Sequence, residues 1–99
     1  MLQSLQCDLE VGTFLLRRGD YARAEAAYHD ALDIFLRIGD QHYIAKAYHQ
    51  LGNLALAQER YEEAGNSYHK ALNIFLMLND RDGAALTQVQ LDMLTRRSS

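Results

Sequence analysis

Residues 61–80 read YEEAGNSYHKALNIFLMLND, and residues 21–40, forty positions earlier, read YARAEAAYHDALDIFLRIGD. The two stretches are identical at ten of twenty positions without a gap, so the chain contains an internal repeat. Most of the shared residues are apolar, and their spacing is set by Ala64, Tyr68, Ala71, Leu72 and Phe75. Such spacing places them on one face of an α-helix and does not fit the alternation of a strand. The pattern therefore predicts a repeated helix with a buried apolar face.

Turn signals recur along the chain and divide it into five predicted helices. Gly19-Asp20 and Gly39-Asp40 each combine a residue that accepts a left-handed φ with one that caps the next helix. Asn79-Asp80 replaces this pair, whereas Glu59-Arg60 lacks a glycine. The predicted helices span about 2–18, 21–38, 41–58, 61–78 and 81–95, with residues 96–99 frayed. Helices joined by turns of about two residues form antiparallel neighbours, so the sequence predicts an all-α solenoid.

Small residues indicate how the helix pairs close. Alanines recur at equivalent places of the two repeats and let the second helix of each pair approach its neighbours. Gly12 and Gly52 occupy matched places inside the predicted first helices. A glycine inside a helix costs about 1 kcal/mol relative to alanine. Its repetition therefore predicts close packing, with an aromatic ring of the partner helix lying against each glycine.

Composition limits the classes of function. Residues 1–99 contain no proline and no Gly/Ser-rich tract, so we expect one domain. The net charge of −3 and the absence of clustered Lys and Arg give no electrostatic case for nucleic acid or anionic membrane. Neither a signal peptide nor a membrane span is expected, because no continuous apolar run is present. Cys7 is the single cysteine and excludes an intramolecular disulfide, which favours a reducing, cytoplasmic setting.

The histidines and the cysteine are better explained by packing than by chemistry. His29 and His69 are equivalent by repeat but lack a carboxylate or cysteine at ligand spacing, so partly exposed packing is favoured over a metal site. His42 and His49 lie seven positions apart, and two imidazoles alone make a weak metal site. Cys7 has no flanking base and is expected to be an inert thiol. Because no catalytic constellation can be assembled without core positions, we expect neither enzymatic activity nor a cofactor.

The second repeat has a large residue, a Leu-Gly pair, and alternating aromatic and small residues in a fixed order: Tyr48, Leu51, Gly52, Tyr61, Ala64, Tyr68, Ala71 and Leu72. In this it resembles the tetratricopeptide repeat family. The first repeat agrees at Gly12, Gly19, Tyr21, Ala24, Tyr28, Ala31 and Leu32. The forty-residue period and the triplet Leu51-Gly52-Asn53 are similar to the longer-helix branch with Leu-Gly-Asn adaptors, kinesin light chains and bacterial repeat arrays. The resemblance implies repeats at about 2–39 and 41–79 and a capping helix at about 81–95.

The resemblance further implies a scaffold whose first helices line a concave groove for a partner peptide. The groove positions it implies are Leu9, Thr13, Leu16, Lys46, His49, Asn53, Leu56, Leu86, Val89 and Met93. Asn53 has two interpretations, a hydrogen bond to a ligand backbone or a solvated polar side chain. On the last helix Leu86, Val89 and Met93 form a second apolar side besides the core-facing one. That side leaves an alternative function open, a module that self-associates into homo-oligomers through its terminal helices.

Overall fold

The computed structural model describes residues 2–98, with side chains described for residues 9–97. Within this range five α-helices follow one another: α1 (Leu2–Arg17), α2 (Tyr21–Ile38), α3 (Gln41–Ala57), α4 (Tyr61–Met77) and α5 (Arg81–Ser98). No strand occurs among residues 2–98. Each helix packs against the next, and α3 also contacts α1 and α5. The predicted all-α solenoid of helix pairs is therefore confirmed, with α1, α3 and α5 along one side.

The four turns between the helices share one geometry. Each is closed by a backbone N–H that bonds the carbonyl five residues earlier: Asp20 to Leu15, Asp40 to Phe35, Arg60 to Ala55 and Asp80 to Phe75. The preceding residue of each turn has a left-handed φ, which is 80° at Gly19, 79° at Gly39, 61° at Glu59 and 58° at Asn79. These turns are Schellman motifs. Asn79 thus replaces glycine as predicted, while Glu59 adopts a conformation that costs an L-residue about 1 to 2 kcal/mol.

The C-terminal helix is longer than predicted. It continues to Ser98, whereas the sequence predicts that the helix frays after Thr95. Arg96 and Arg97 occupy its last turn, where positive charge is favourable against the negative end of the helix dipole. The other predicted helix boundaries agree with the structure to within one residue.

Aromatic side chains of α2 and α4 fill the core against the glycines of the first helices. Tyr28 and Tyr68 are completely buried. A Cβ added at Gly12 would lie 2.5 Å from the Tyr28 ring, and one added at Gly52 would lie 2.6 Å from the Tyr68 ring. Because real side chains do not approach this closely, the two glycines are required by packing. The predicted role of these glycines is confirmed.

A third close approach, between α4 and α5, was not predicted. A Cβ at Gly83 would lie 2.6 Å from the Phe75 ring. The equivalent position forty residues earlier is Tyr43, whose ring stacks on Phe35 with centroids 4.9 Å apart. The internal repeat does not predict this contact. Between α4 and α5 a ring packs against the helix backbone, whereas between α2 and α3 two aromatic rings stack.

None of the helices within residues 2–98 combines the length and the apolar composition that a membrane crossing requires.

Candidate functional site

A cleft of about 740 Å³ crosses the side of the molecule formed by α1, α3 and α5. Its lining comes from residues 9–17 of α1, 43–50 of α3, Phe75 of α4, and 80–86 at and just before the start of α5. The cleft contacts the C-terminal half of α1, the N-terminal half of α3 and the first turns of α5. It therefore runs obliquely across the three helices. The lining residues are Leu9, Glu10, Thr13, Arg17, Tyr43, Lys46, His49, Gln50, Phe75, Asp80, Asp82, Gly83 and Leu86.

The cleft contains charges of both signs. Lys46 Nζ lies 5.1 Å from the centroid of the Tyr43 ring, a distance at which a cation is attracted to the ring face. Among residues 9–97, neither Lys46 nor Arg17 has a carboxylate within ion-pair distance. Glu10 and Asp82 supply negative charge on α1 and α5. The lining residues therefore carry little net charge. They include side chains that can pair with a positive group of a ligand and side chains that can pair with a negative one.

Asp80 closes the α5 end of the cleft and is held by two hydrogen bonds. Its Oδ1 accepts from the backbone N–H of Gly83 at 3.0 Å, which caps α5. Its Oδ2 lies 2.9 Å from Nε2 of His42 on α3. The Gly83 N–H, more than the His42 bond, holds the pKa of the Asp80 carboxyl below its ordinary value. The Asp80 carboxylate thus caps the N-terminus of α5 and links α5 to α3.

His49 makes the second contact from α3 to α5. Its Nδ1 lies 2.9 Å from Oγ1 of Thr87, and its ring meets Tyr68 edge-on with centroids 5.6 Å apart. Thr87 is fully buried, and its hydroxyl donates to the carbonyl of Gly83 at 2.8 Å. Burial lowers the pKa of His49, so the imidazole is neutral near pH 7.

The buried tyrosine hydroxyls are held at equivalent positions of the two repeats. Thr13 Oγ1 donates to the Leu9 carbonyl at 3.0 Å and lies 3.0 Å from the Tyr28 hydroxyl. Forty residues later the Tyr68 hydroxyl donates to Asn53 Oδ1. Burial raises the pKa of both tyrosines. The polar residue after each packing glycine therefore holds a core hydroxyl.

The structure brings together five of the ten groove residues implied by the resemblance. Those that line the cleft are Leu9, Thr13, Lys46, His49 and Leu86. The other five lie outside the lining: Leu16 and Leu56 pack against the core, Asn53 is bonded to Tyr68, and Val89 and Met93 are exposed on α5. The groove positions implied by the resemblance follow one helical stripe at spacings of three and four. A cleft that crosses the helices obliquely departs from that stripe.

Several lining residues were missed by sequence reasoning. Glu10 and Gln50 directly follow the predicted Leu9 and His49 and are equivalent in the repeat. That equivalence is the signal that could have identified them. Asp80 and Asp82 belong to the start of α5 and line the cleft because α5 begins beside α3.

His29 and His69 lie outside the cleft lining. His29 and His69 are exposed on α2 and α4, and His29 Nε2 lies 3.7 Å from Oε1 of Glu25. Among the residues that the structure describes, no group of three or more His, Cys, Asp or Glu side chains is placed to hold a metal ion. The Cys7 side chain lies outside the described residues.

The repeat geometry has a counterpart among known families. The tetratricopeptide repeat family matches residues 4–77. The chain belongs to this family. Tetratricopeptide repeats are generally non-enzymatic modules that bind other proteins. No curated protein matches the chain. In this tetratricopeptide repeat protein, the oblique cleft over α1, α3 and α5 is the candidate surface for a protein partner.

Proposed function

We propose that the cleft binds an extended segment of a protein partner. The observation that carries the proposal is the cleft itself, about 740 Å³ in volume and lined mainly by three successive first helices. Its volume falls in the range of sites that enclose small ligands or several residues of a peptide. Membership of the tetratricopeptide repeat family supports a protein as the partner.

The lining indicates a peptide with apolar anchors and few charges. Leu86 on α5 is 64% exposed and offers apolar contact, whereas Leu9 on α1 lines the cleft but is only 7% exposed. Lys46 lies between them on α3, with Glu10 on α1 and Asp82 on α5. Apolar anchors dominate affinity in such interfaces, whereas exposed charges mainly orient the ligand. Selectivity therefore comes mainly from the apolar contact at Leu86.

Peptides selected from a phage-displayed random library on the wild-type chain test the proposal. We expect Leu86→Asp and Lys46→Glu to weaken the selected peptides by about tenfold or more, which is about 1.4 kcal/mol. The chain offers matched controls outside the cleft. Val89→Asp changes another exposed apolar residue of α5, and Lys70→Glu changes a lysine whose Nζ lies 5.3 Å from the Tyr48 ring.

The measurement is the dissociation constant of each synthetic peptide for the four variants, obtained by calorimetry. Both controls should bind within about twofold of wild type. If the library yields no specific peptide, or if the controls lose as much affinity as the cleft variants, the cleft is not the binding surface.

Self-association is the second candidate function, and exposed apolar side chains outside the cleft favour it. Val11 and Phe14 on α1 are 51% and 57% exposed, and Val89 and Met93 on α5 are 53% and 39% exposed. Side chains of this kind on both terminal helices fit an interface between copies. Light scattering distinguishes the candidates. A mass that rises above 11.3 kDa with concentration, and returns to it in Val89→Asp/Met93→Asp, would assign these side chains to assembly.

A further inference from the structure

The proton on His49 can be located from its hydrogen-bond partner. A threonine hydroxyl has one proton, and Thr87 donates it to the Gly83 carbonyl. Thr87 is fully buried, so water does not compete for it. The 2.9 Å contact between His49 Nδ1 and Thr87 Oγ1 therefore has His49 as the donor. Nδ1 carries the hydrogen, and in a neutral imidazole Nε2 is then an acceptor.

The acceptor nitrogen of His49, a residue that lines the cleft, has no hydrogen-bond partner among the described residues. Every buried side-chain nitrogen or oxygen of the described residues has a hydrogen-bond partner, yet Nε2 of His49 has none among them. Nε2 is therefore reachable from outside the protein, and the residue lines the cleft. Burial of the ring lowers the pKa of His49, which keeps Nε2 an acceptor near neutral pH.

The neighbouring Gln50 offers the complementary group. The Tyr68 hydroxyl donates to Asn53 Oδ1, and Asn53 Nδ2 donates to Gln50 Oε1 at 3.3 Å. This chain of bonds begins at a fully buried tyrosine and orients the Gln50 amide. Its oxygen is occupied, so its Nε2 keeps two hydrogens for a ligand.

We propose that His49 and Gln50 form a site for the main chain of the bound segment, with His49 Nε2 accepting from a peptide N–H and Gln50 Nε2 donating to a peptide carbonyl. The inference rests on the proposed binding of a peptide in the cleft. A peptide group supplies one donor and one acceptor without charge, which matches the two free groups. The exposed Leu86 of α5 then contacts an apolar side chain of the segment.

This site explains how the cleft binds without strong charge selection. Main-chain hydrogen bonds fix the register of an extended segment independently of its sequence, and flanking pockets supply selectivity. Hydrogen bonds within the protein position both groups: Thr87 orients the His49 ring, and Asn53 orients the Gln50 amide. Pre-organised groups lose little side-chain entropy on binding.

Backbone N-methylation of a library-selected peptide tests the site. Each peptide N–H is replaced in turn by N–CH₃, and the dissociation constant is measured for wild type and His49→Asn. Asparagine keeps a donor for Thr87 in place of Nδ1–H but lacks the acceptor of Nε2. We expect one methylated position to weaken wild-type binding by about tenfold and His49→Asn binding by less than about twofold. His69→Asn, which changes an exposed histidine of α4 outside the cleft lining, should show the wild-type pattern.

Gln50→Glu tests the donor independently. Glutamate retains an oxygen that accepts from Asn53 but removes the donor, so peptide affinity should fall by about tenfold. Gln90→Glu is the matched control, because Gln90 is the repeat equivalent on α5 and lies outside the cleft lining. Its affinity should stay within about twofold of wild type.

Two results separate this inference from the proposed function. If peptide binding depends on Leu86 and Lys46 but no methylated position couples to residue 49, the cleft binds peptides and the main-chain site is wrong. Coupling to an Asn or Gln side chain of the peptide, instead of a backbone N–H, overturns it equally. If binding depends on none of these residues, the cleft proposal itself fails.

Discussion

At the residue scale, the fold depends on three places where an aromatic ring packs against a helix backbone. Tyr28 lies on Gly12, Tyr68 on Gly52 and Phe75 on Gly83. The first two could be predicted because both members of each pair recur after forty residues. The third could not, since Gly83 aligns with Tyr43 and has no repeat partner. A contact that replaces another within a repeat leaves no periodic signal.

Gly52→Ala tests this packing. Its Cβ would lie 2.6 Å from the Tyr68 ring, and the Tyr68 side chain is fully buried. Overpacking of this kind costs about 1 to 3 kcal/mol of unfolding free energy, measured by urea denaturation followed by circular dichroism.

Gly65→Ala is the matched control in the same measurement. Its Cβ would lie 3.4 Å from the nearest described side-chain atom, on Leu94, which is ordinary contact. Alanine inside a helix is more stable than glycine by about 1 kcal/mol, so this variant should be as stable as wild type or more stable. Equal stability changes for the two substitutions would contradict the packing account.

At the element scale, contacts with α3 hold the N-terminal half of α5 in place. Asp80 caps it, and two histidines of α3 reach it at equal sequence separation, His42 to Asp80 and His49 to Thr87. The sequence showed that His42 and His49 were seven residues apart but not what they contact. Their partners become visible only once α5 is placed beside α3, because neither bond has an equivalent in the first repeat.

Asp80→Ala tests this attachment through its pH dependence. The pKa of Asp80 is lowered in the folded chain, first by the Gly83 N–H and then by His42. A lowered carboxyl pKa gives stability that is present above the unfolded pKa and is lost as pH falls through the folded one. The variant should therefore melt below wild type at about pH 6, and the gap should narrow toward about pH 3.

Asp82→Ala serves as the control for Asp80→Ala. Asp82 also lies in the first turn of α5, but it accepts no hydrogen bond among the described residues. Its melting temperature should differ little from wild type across the same pH range. A gap for Asp80→Ala that stays constant with pH would show that its carboxylate charge does not stabilise α5.

At the scale of the whole molecule, the sequence predicted the solenoid better than the cleft. Helix number, order and most boundaries follow from the internal repeat and from local turn signals at Gly19, Gly39 and Asn79. The path of the cleft depends on how each helix pair is rotated against the next. Side-chain periodicity within one helix does not encode that rotation. Glu10, Gln50 and Asp82 therefore line the cleft although the sequence did not predict them. Leu16 and Leu56 were predicted as groove positions but pack against the core.

The central claim is that a partner segment occupies the oblique cleft. The most direct measurement is an NMR titration of the ¹⁵N-labelled chain with a library-selected peptide, following each backbone amide. The account predicts that shift changes concentrate in residues 9–17 of α1, 43–50 of α3 and 80–86 of α5. Changes confined to α2 and α4, or to the exposed apolar residues Val89 and Met93 of α5, would contradict it.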